Sequence, residues 1–194
     1  MLKTNQISSV VENVHNIFIS TTEVNYDSLP NIVKNNISSL REIYSESKYF
    51  FWQESEIREM LKGNFPDEVL HAFDTVEAFA LKADLARYCI LYIYGGIYSD
   101  LSNRFISKIS INESTKIAAF KDRYPMHGSS WMIQNTIIYA KKETEELRKI
   151  IDICVENINT RVYGNSSLEP TGPALFGRVI TICGDYNNYI LGRS

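Results

Sequence analysis

Residues 79–104 read FALKADLARYCILYIYGGIYSDLSNR, and they constrain the fold more than any other stretch of the chain. From Phe79 to Tyr94 the run is apolar on nearly every side. A helix with no face suited to water belongs inside a core. Among the charges that interrupt it, Asp84 and Arg87 stand three residues apart and therefore on one side. After Arg87 no charge follows until Asp100. Gly95 and Gly96 stop the helix, as glycine does just past a helix C-terminus. Ile97, Tyr98 and Ser99 then make a short buried strand that emerges at Asp100. One ion pair and one carboxylate thus arrive at a single sheet edge. Open α/β sheets bind ligands at the carboxyl ends of their strands, where Asp100 stands.

The remaining pattern alternates strand and helix. Residues 10–20 are β-branched and aromatic after a polar start and read as a first, central strand. A helix from Ser28 to about Lys48 has apolar spacing at Ile32, Val33, Ile37, Leu40, Ile43 and Tyr44. Residues 49–52 form a short apolar strand, and small helices follow at 54–62 and 67–73. Beyond Asn103 the expected strands are 116–121 and 131–139, with 106–111 as an edge segment. The amphipathic run 142–159 and a run from Ala174 to Cys183 are helices, the second preceded by Thr171-Gly172-Pro173. This βαβ traffic predicts an α/β fold with a mixed, mainly parallel sheet flanked by helices.

A length of 194 residues fits one domain spanning the whole chain, 1–194. The net charge of −3 argues against a nucleic-acid partner, which asks for a basic patch. Cys89, Cys154 and Cys183 lack metal or redox spacing and read as thiols in a reducing compartment. No signal-like apolar region opens the chain and no stretch is long enough to span a membrane, so the expectation is a soluble, cytoplasmic protein.

The order K-A-D-L-A-R-Y followed by Y-G-G-I-Y-S-D-L-S resembles the signature of glycosyltransferases with a DXD sugar-binding region. That group includes family 32, with its capsule enzymes and mannosyltransferases, and the related clostridial toxin glucosyltransferases. Asp84, Arg87, Leu91, Gly95, Gly96, Ile97, Tyr98 and Asp100 fall in register with it. Ser102 stands where the family has its second aspartate. The resemblance runs over roughly residues 13–182 and implies a GT-A-type nucleotide-sugar-binding fold. It also implies transfer of a sugar from a UDP- or GDP-sugar donor to a glycan or other hydroxyl acceptor, with retention of configuration.

By the same resemblance, Asp84, Arg87 and Asp100 are the catalytic candidates. The donor-binding set adds Phe18, which takes the place of an aromatic that stacks on the nucleobase, His15, Tyr98 and Asn135. A divalent cation, Mn²⁺ or Mg²⁺, would be gripped through Asp100 and the Ser102 position. Residue chemistry is compatible with this, since arginine offers fixed planar donors for phosphate and hydroxyl groups and carboxylates accept from vicinal hydroxyls. The bland alternatives are a structural ion pair for Asp84–Arg87, a core aromatic for Phe18 and a buried amide for Asn135. Asp122 is a candidate replacement for the missing acid, while His127 and the Ser129-Ser130 pair show no catalytic context. The rival reading of the whole chain is a nucleotide-sugar or glycan-binding protein of this fold that lacks turnover, because Ser102 removes a metal-binding charge.

Overall fold

A computed structural model describes residues 10–121, 132–162, 164, 166, 168–183 and 188–193. Asp122, His127, Ser129 and Ser130 lie outside the described residues.

Among the described residues six strands form one sheet: β1 (Asn13–Ile17), β2 (Lys48–Trp52), β3 (Gly96–Ser99), β4 (Ile117–Lys121), β5 (Ile133–Ala140) and β6 (Tyr189–Arg193), in the order β2-β1-β3-β5-β4-β6. β1 pairs parallel with β2 and β3, β4 pairs parallel with β6, and β5 runs antiparallel to both its neighbours. The expected mixed, mainly parallel sheet is therefore present, with β5 as its one reversed strand. β6 is an addition to that expectation, and the segment 106–111 contributes no strand.

The helices are α1 (Asn31–Ile43), α2 (Glu54–Asn64), α3 (Asp67–Thr75), α4 (Phe79–Tyr94), α5 (Glu145–Asn159) and α6 (Pro173–Cys183). α4 has the sheet (β1, β3, β5) against one side, α5 against another, and α2 and α3 at its flanks. Leu85, Ala86, Tyr88, Cys89, Ile90 and Leu91 are fully buried. A helix enclosed on every side has no use for a polar stripe, which is why its sequence lacks one.

Two cores result. The larger joins α2–α6 to one sheet face through Ile17, Tyr98, Ile133, Ile138 and Ala140. The smaller lies on the other face, where Leu40 and Tyr44 pack with Phe105 and Ile111 over Val14, Ile97, Ala118 and Tyr139.

The join between α4 and β3 depends on its glycines. Gly95 and Gly96 have φ values of 61° and 96°, a region that disfavours side chains. A Cβ on Gly96 would lie 2.1 Å from the Asn13 carbonyl oxygen of the neighbouring strand. That close approach brings β3 beside β1 and sends Asp100 to the sheet's carboxyl edge.

Candidate active site

Arg87 is the hub around which the site is built. Its Nε donates to the Ala83 carbonyl at 3.2 Å and its Nη1 to the Asn135 carbonyl at 2.6 Å. Nη1 also lies 3.2 Å from Asp100 Oδ1, and Nη2 lies 3.1 Å from Asp84 Oδ1. The guanidinium sits over the Tyr98 ring, 4.6 Å from its centroid. Tyr98, buried beneath it, donates its hydroxyl to Asp100 Oδ1. Only 5% of Arg87 is exposed. Burial works against its charge, but Tyr98, Asp84 and Asp100 outweigh that and hold its pKa above the ordinary arginine value. Arg87 is thus a fixed cation between two carboxylates.

Asp84 is satisfied from three directions. Its Oδ1 accepts from Asn135 Nδ2 at 2.8 Å as well as facing Arg87, and its Oδ2 accepts from Thr171 Oγ1 at 2.9 Å. Burial nevertheless pushes its carboxyl above the usual carboxylate range, against the pull of Arg87, Thr171 and Asn135. Asn135 Nδ2 also donates to Tyr88 Oη at 2.9 Å, and Tyr88 donates to the Thr171 carbonyl at 3.0 Å. One polar network therefore ties α4 to β5 and to the loop before α6.

A register slip aims Asn135 into this network. Ala118 faces Tyr139 while Phe120 faces Gln134, so β5 carries extra residues between those pairs. Simple alternation back from Ile138 and Ala140 would turn Asn135 toward α1. The bulge reverses the parity, and Ile133 joins Ile138 in the larger core while Asn135 meets Asp84. Bulges commonly re-aim side chains beside functional sites.

Asp84, Arg87, Asp100 and Asn135 open onto one cleft of about 700 Å³, lined also by Leu81, Thr136, Leu168, Pro170 and Pro173. That volume suits a small-molecule site. Asp100 is its accessible carboxylate, with 29% of its side chain exposed. Its backbone N–H donates to the Thr136 carbonyl at 2.8 Å, and Asn103 Nδ2 braces the same carbonyl at 2.9 Å.

The other candidates lie elsewhere. Phe18 follows β1 at the same sheet edge, partly exposed and stacked on Phe51 at 6.5 Å, outside the cleft lining. His15 is fully buried: its Nδ1 accepts from Trp52 Nε1 at 3.2 Å, which leaves Nε2 to donate to the Gly95 carbonyl at 2.9 Å. Burial lowers its pKa to about 4, opposed by the bond to Gly95, so the ring is neutral. Tyr98 is covered by Arg87 and reaches the cleft through Asp100 alone. Ser102 is exposed in the turn after β3.

Thr171 and Tyr88 are members of the network that residue chemistry alone did not single out. The Thr171-Gly172-Pro173 triplet before α6 was the available signal for the first. The second is simply the residue after Arg87. Gly172 fits there because a Cβ would meet the Leu168 carbonyl oxygen at 2.9 Å and Asp84 Oδ2 at 3.4 Å.

The donor set for a divalent cation is small. Among the described residues no group of three acids, histidines or cysteines converges on a point. Contacts to Arg87 and Tyr98 engage Oδ1 of Asp100. Ser102 adds a neutral hydroxyl. A magnesium-like ion takes one or two carboxylates and completes its shell with waters and substrate phosphates. By its chemistry this donor set, one carboxylate and one hydroxyl, suits such an ion only where a diphosphate shares the site, and Ser102 does not line the cleft.

Comparison with known proteins identifies the family and the fold. Residues 30–137 match the family model described as the glycosyltransferase sugar-binding region containing the DXD motif. An uncharacterised glycosyltransferase of Acanthamoeba polyphaga mimivirus is 28% identical over 169 residues, covering 87% of this chain; the chain spans 63% of that relative's length. Among solved structures, the PaToxG glycosyltransferase superposes with a TM-score of 0.67 at 17% identity, covering 92% of this chain and 73% of the other. The UDP-bound glycosyltransferase domain from the YGT toxin gives 0.62 at 8% identity, covering 95% and 79%. The fold is that of GT-A-like glycosyltransferase domains, and no helix among the described residues is long and apolar enough to cross a membrane. The chain belongs to the glycosyltransferase family defined by the DXD-containing sugar-binding region.

Proposed function

We propose that this chain transfers a sugar, with retention, from a nucleotide-sugar donor to a hydroxyl of a glycan or similar acceptor. The observation that carries the reading is the Asp84–Arg87–Asp100 cluster. It forms the polar wall of a cleft at the carboxyl end of β3, within a domain of the DXD glycosyltransferase family. UDP is the first nucleotide to try, because a structural relative was solved with it; GDP is the second.

Asp100 is the carboxylate placed against the donor sugar, where it accepts from hydroxyls. Arg87 holds Asp100 in place, and Tyr98 fixes its rotamer through the hydroxyl bond. Asp84 and Asn135 line the same cleft and lock the Thr171 loop to it. Such pre-set charge is the economical way to stabilise a transition state that separates a sugar cation from a diphosphate. A divalent cation held by Asp100 and Ser102 would neutralise the leaving diphosphate when bound with the donor. Phe18, at the same sheet edge, is the aromatic surface for the nucleobase. The cytoplasm is the proposed compartment, and surface polysaccharide synthesis the proposed setting.

A thermal-shift screen with UDP- and GDP-sugars, each with and without Mn²⁺, tests the reading. A ligand at a hundred times its Kd stabilises by about 2.7 kcal/mol, which moves Tm by roughly 5–10 °C in a chain of this size. Stabilisation by one donor that disappears in Asp100→Asn supports the assignment. Failure of every nucleotide sugar to stabilise the protein refutes it. Stabilisation without any donor turnover selects the binding-protein reading that the Ser102 substitution motivates.

A further inference from the structure

The segment after Asp100 carries a surface outside the cleft lining. Residues 104–110 read RFISKIS and form an arch pinned at two points, once to α1 and once to Tyr44 just past its end. The Phe105 N–H donates to Ser39 Oγ at 2.9 Å, and the Ile109 N–H donates to Tyr44 Oη at 2.8 Å. Phe105 is buried edge-on against Tyr44, with ring centroids 5.9 Å apart. Between these anchors Ile106 stands 87% exposed, with Arg104 and Lys108 exposed on either side. Beneath the arch is a cavity of about 370 Å³ whose floor includes Ala118, Phe120, Ile137 and Gly192. No acid is found among its described lining residues, although the chain carries a net charge of −3.

A single exposed isoleucine is ordinary on a protein surface. An isoleucine held out by a braced arch, between two cations and above an apolar cavity, is not explained by packing. We propose that this arch docks the protein on an anionic membrane surface. Ile106 enters the acyl boundary, and Arg104 and Lys108 meet lipid phosphates. The charge pattern selects this occupant, since apolar insertion and attraction to anionic headgroups are the two terms that hold an interfacial segment.

Sedimentation of the full chain with vesicles at low salt tests the proposal, using phosphatidylcholine alone and phosphatidylcholine mixed with phosphatidylserine. Binding is expected to the mixed vesicles and to weaken with added salt. Ile106→Asp should lower that affinity about tenfold, the low end for removing a buried isoleucine side chain. Arg104→Ala with Lys108→Ala should lower it about 25-fold, at about fivefold for each cation. All three side chains are exposed, so an unchanged unfolding temperature is the control for folding. Absence of binding to mixed vesicles overturns the proposal and leaves the arch as a protein-contact surface. Binding that survives both variants, or that is equal on neutral vesicles, overturns it as well. Donor turnover plays no part in this readout, so the outcome is independent of the transferase reading.

Discussion

Replacing Arg87 with methionine isolates the charge at the centre of the site. Methionine keeps a long flexible stem and removes the guanidinium, so Asp84 and Asp100 lose their shared counter-charge. Asp84 keeps its bonds from Asn135 and Thr171 but remains buried as a carboxylate. Breaking a buried pair by removing one partner costs about 3–5 kcal/mol. For a chain of this size that lowers Tm by roughly 6–20 °C, while a typical stability of about 5–15 kcal/mol leaves the protein mostly folded at room temperature. The pH dependence gives the cause away. Burial raises the Asp84 pKa, and Arg87 is the leading influence that opposes the rise. Without Arg87 the native carboxyl holds its proton to higher pH than the unfolded chain does. A raised native pKa favours folding at low pH and costs stability as pH rises through it. The deficit of Arg87→Met should therefore shrink as pH falls from about 7 to about 5. Urea unfolding of both proteins across that range is the assay. A loss below about 1 kcal/mol, or a deficit that does not change with pH, would refute the hub role.

Three further outcomes follow from the geometry. His15 has a native pKa lowered from 6.5 to about 4, so it binds fewer protons than the unfolded chain between those values; its contribution is intact above pH 6.5 and is lost as pH falls toward 4, about 3 kcal/mol in all. An NMR titration should find the His15 ring neutral at pH 5, and a midpoint near 6.5 would contradict the buried Trp52–His15–Gly95 chain. Ser102→Asp should tighten Mn²⁺ binding measured by calorimetry with UDP or GDP present, whereas a wild type already tight for metal would mean that another ligand completes the site. Gly96→Ala should destabilise by more than about 1 kcal/mol, because strain at positive φ adds to the 2.1 Å clash with the Asn13 carbonyl; wild-type stability in that variant would show that β1 and β3 can separate there.

Much of the fold was legible because its central elements are locally encoded. The apolar run of α4, its glycine stop and the short β3 announce a buried helix and strand whatever surrounds them. The Asp84–Arg87 pair was legible from its spacing alone. Its other partners were not, since Thr171 and Asn135 come from residues 87 and 51 positions away. Asn135 was reached only through the family resemblance; strict alternation in β5 would turn it toward α1, and the pairing slip against β4 aims it at Asp84. β6, a five-residue edge strand containing Gly192, has too little pattern to be seen before its partner β4 is known. The segment 106–111 has strand-like residues but closes the smaller core as an irregular arch, with the Ile109 N–H bonded to the Tyr44 hydroxyl at the end of α1. His15 entered the donor-binding set through the resemblance, yet the fold directs its ring against Trp52 rather than into the cleft.

Donor hydrolysis tests the central claim most directly. Free sugar released from UDP- and GDP-sugars would be measured for the wild-type chain and for Asp100→Asn. The account predicts release from one donor by the wild type. It also predicts a fall of about a hundredfold or more in the variant, the scale of losing one contact to transition-state charge. Equal release by both proteins, or release from no donor at all, would contradict it.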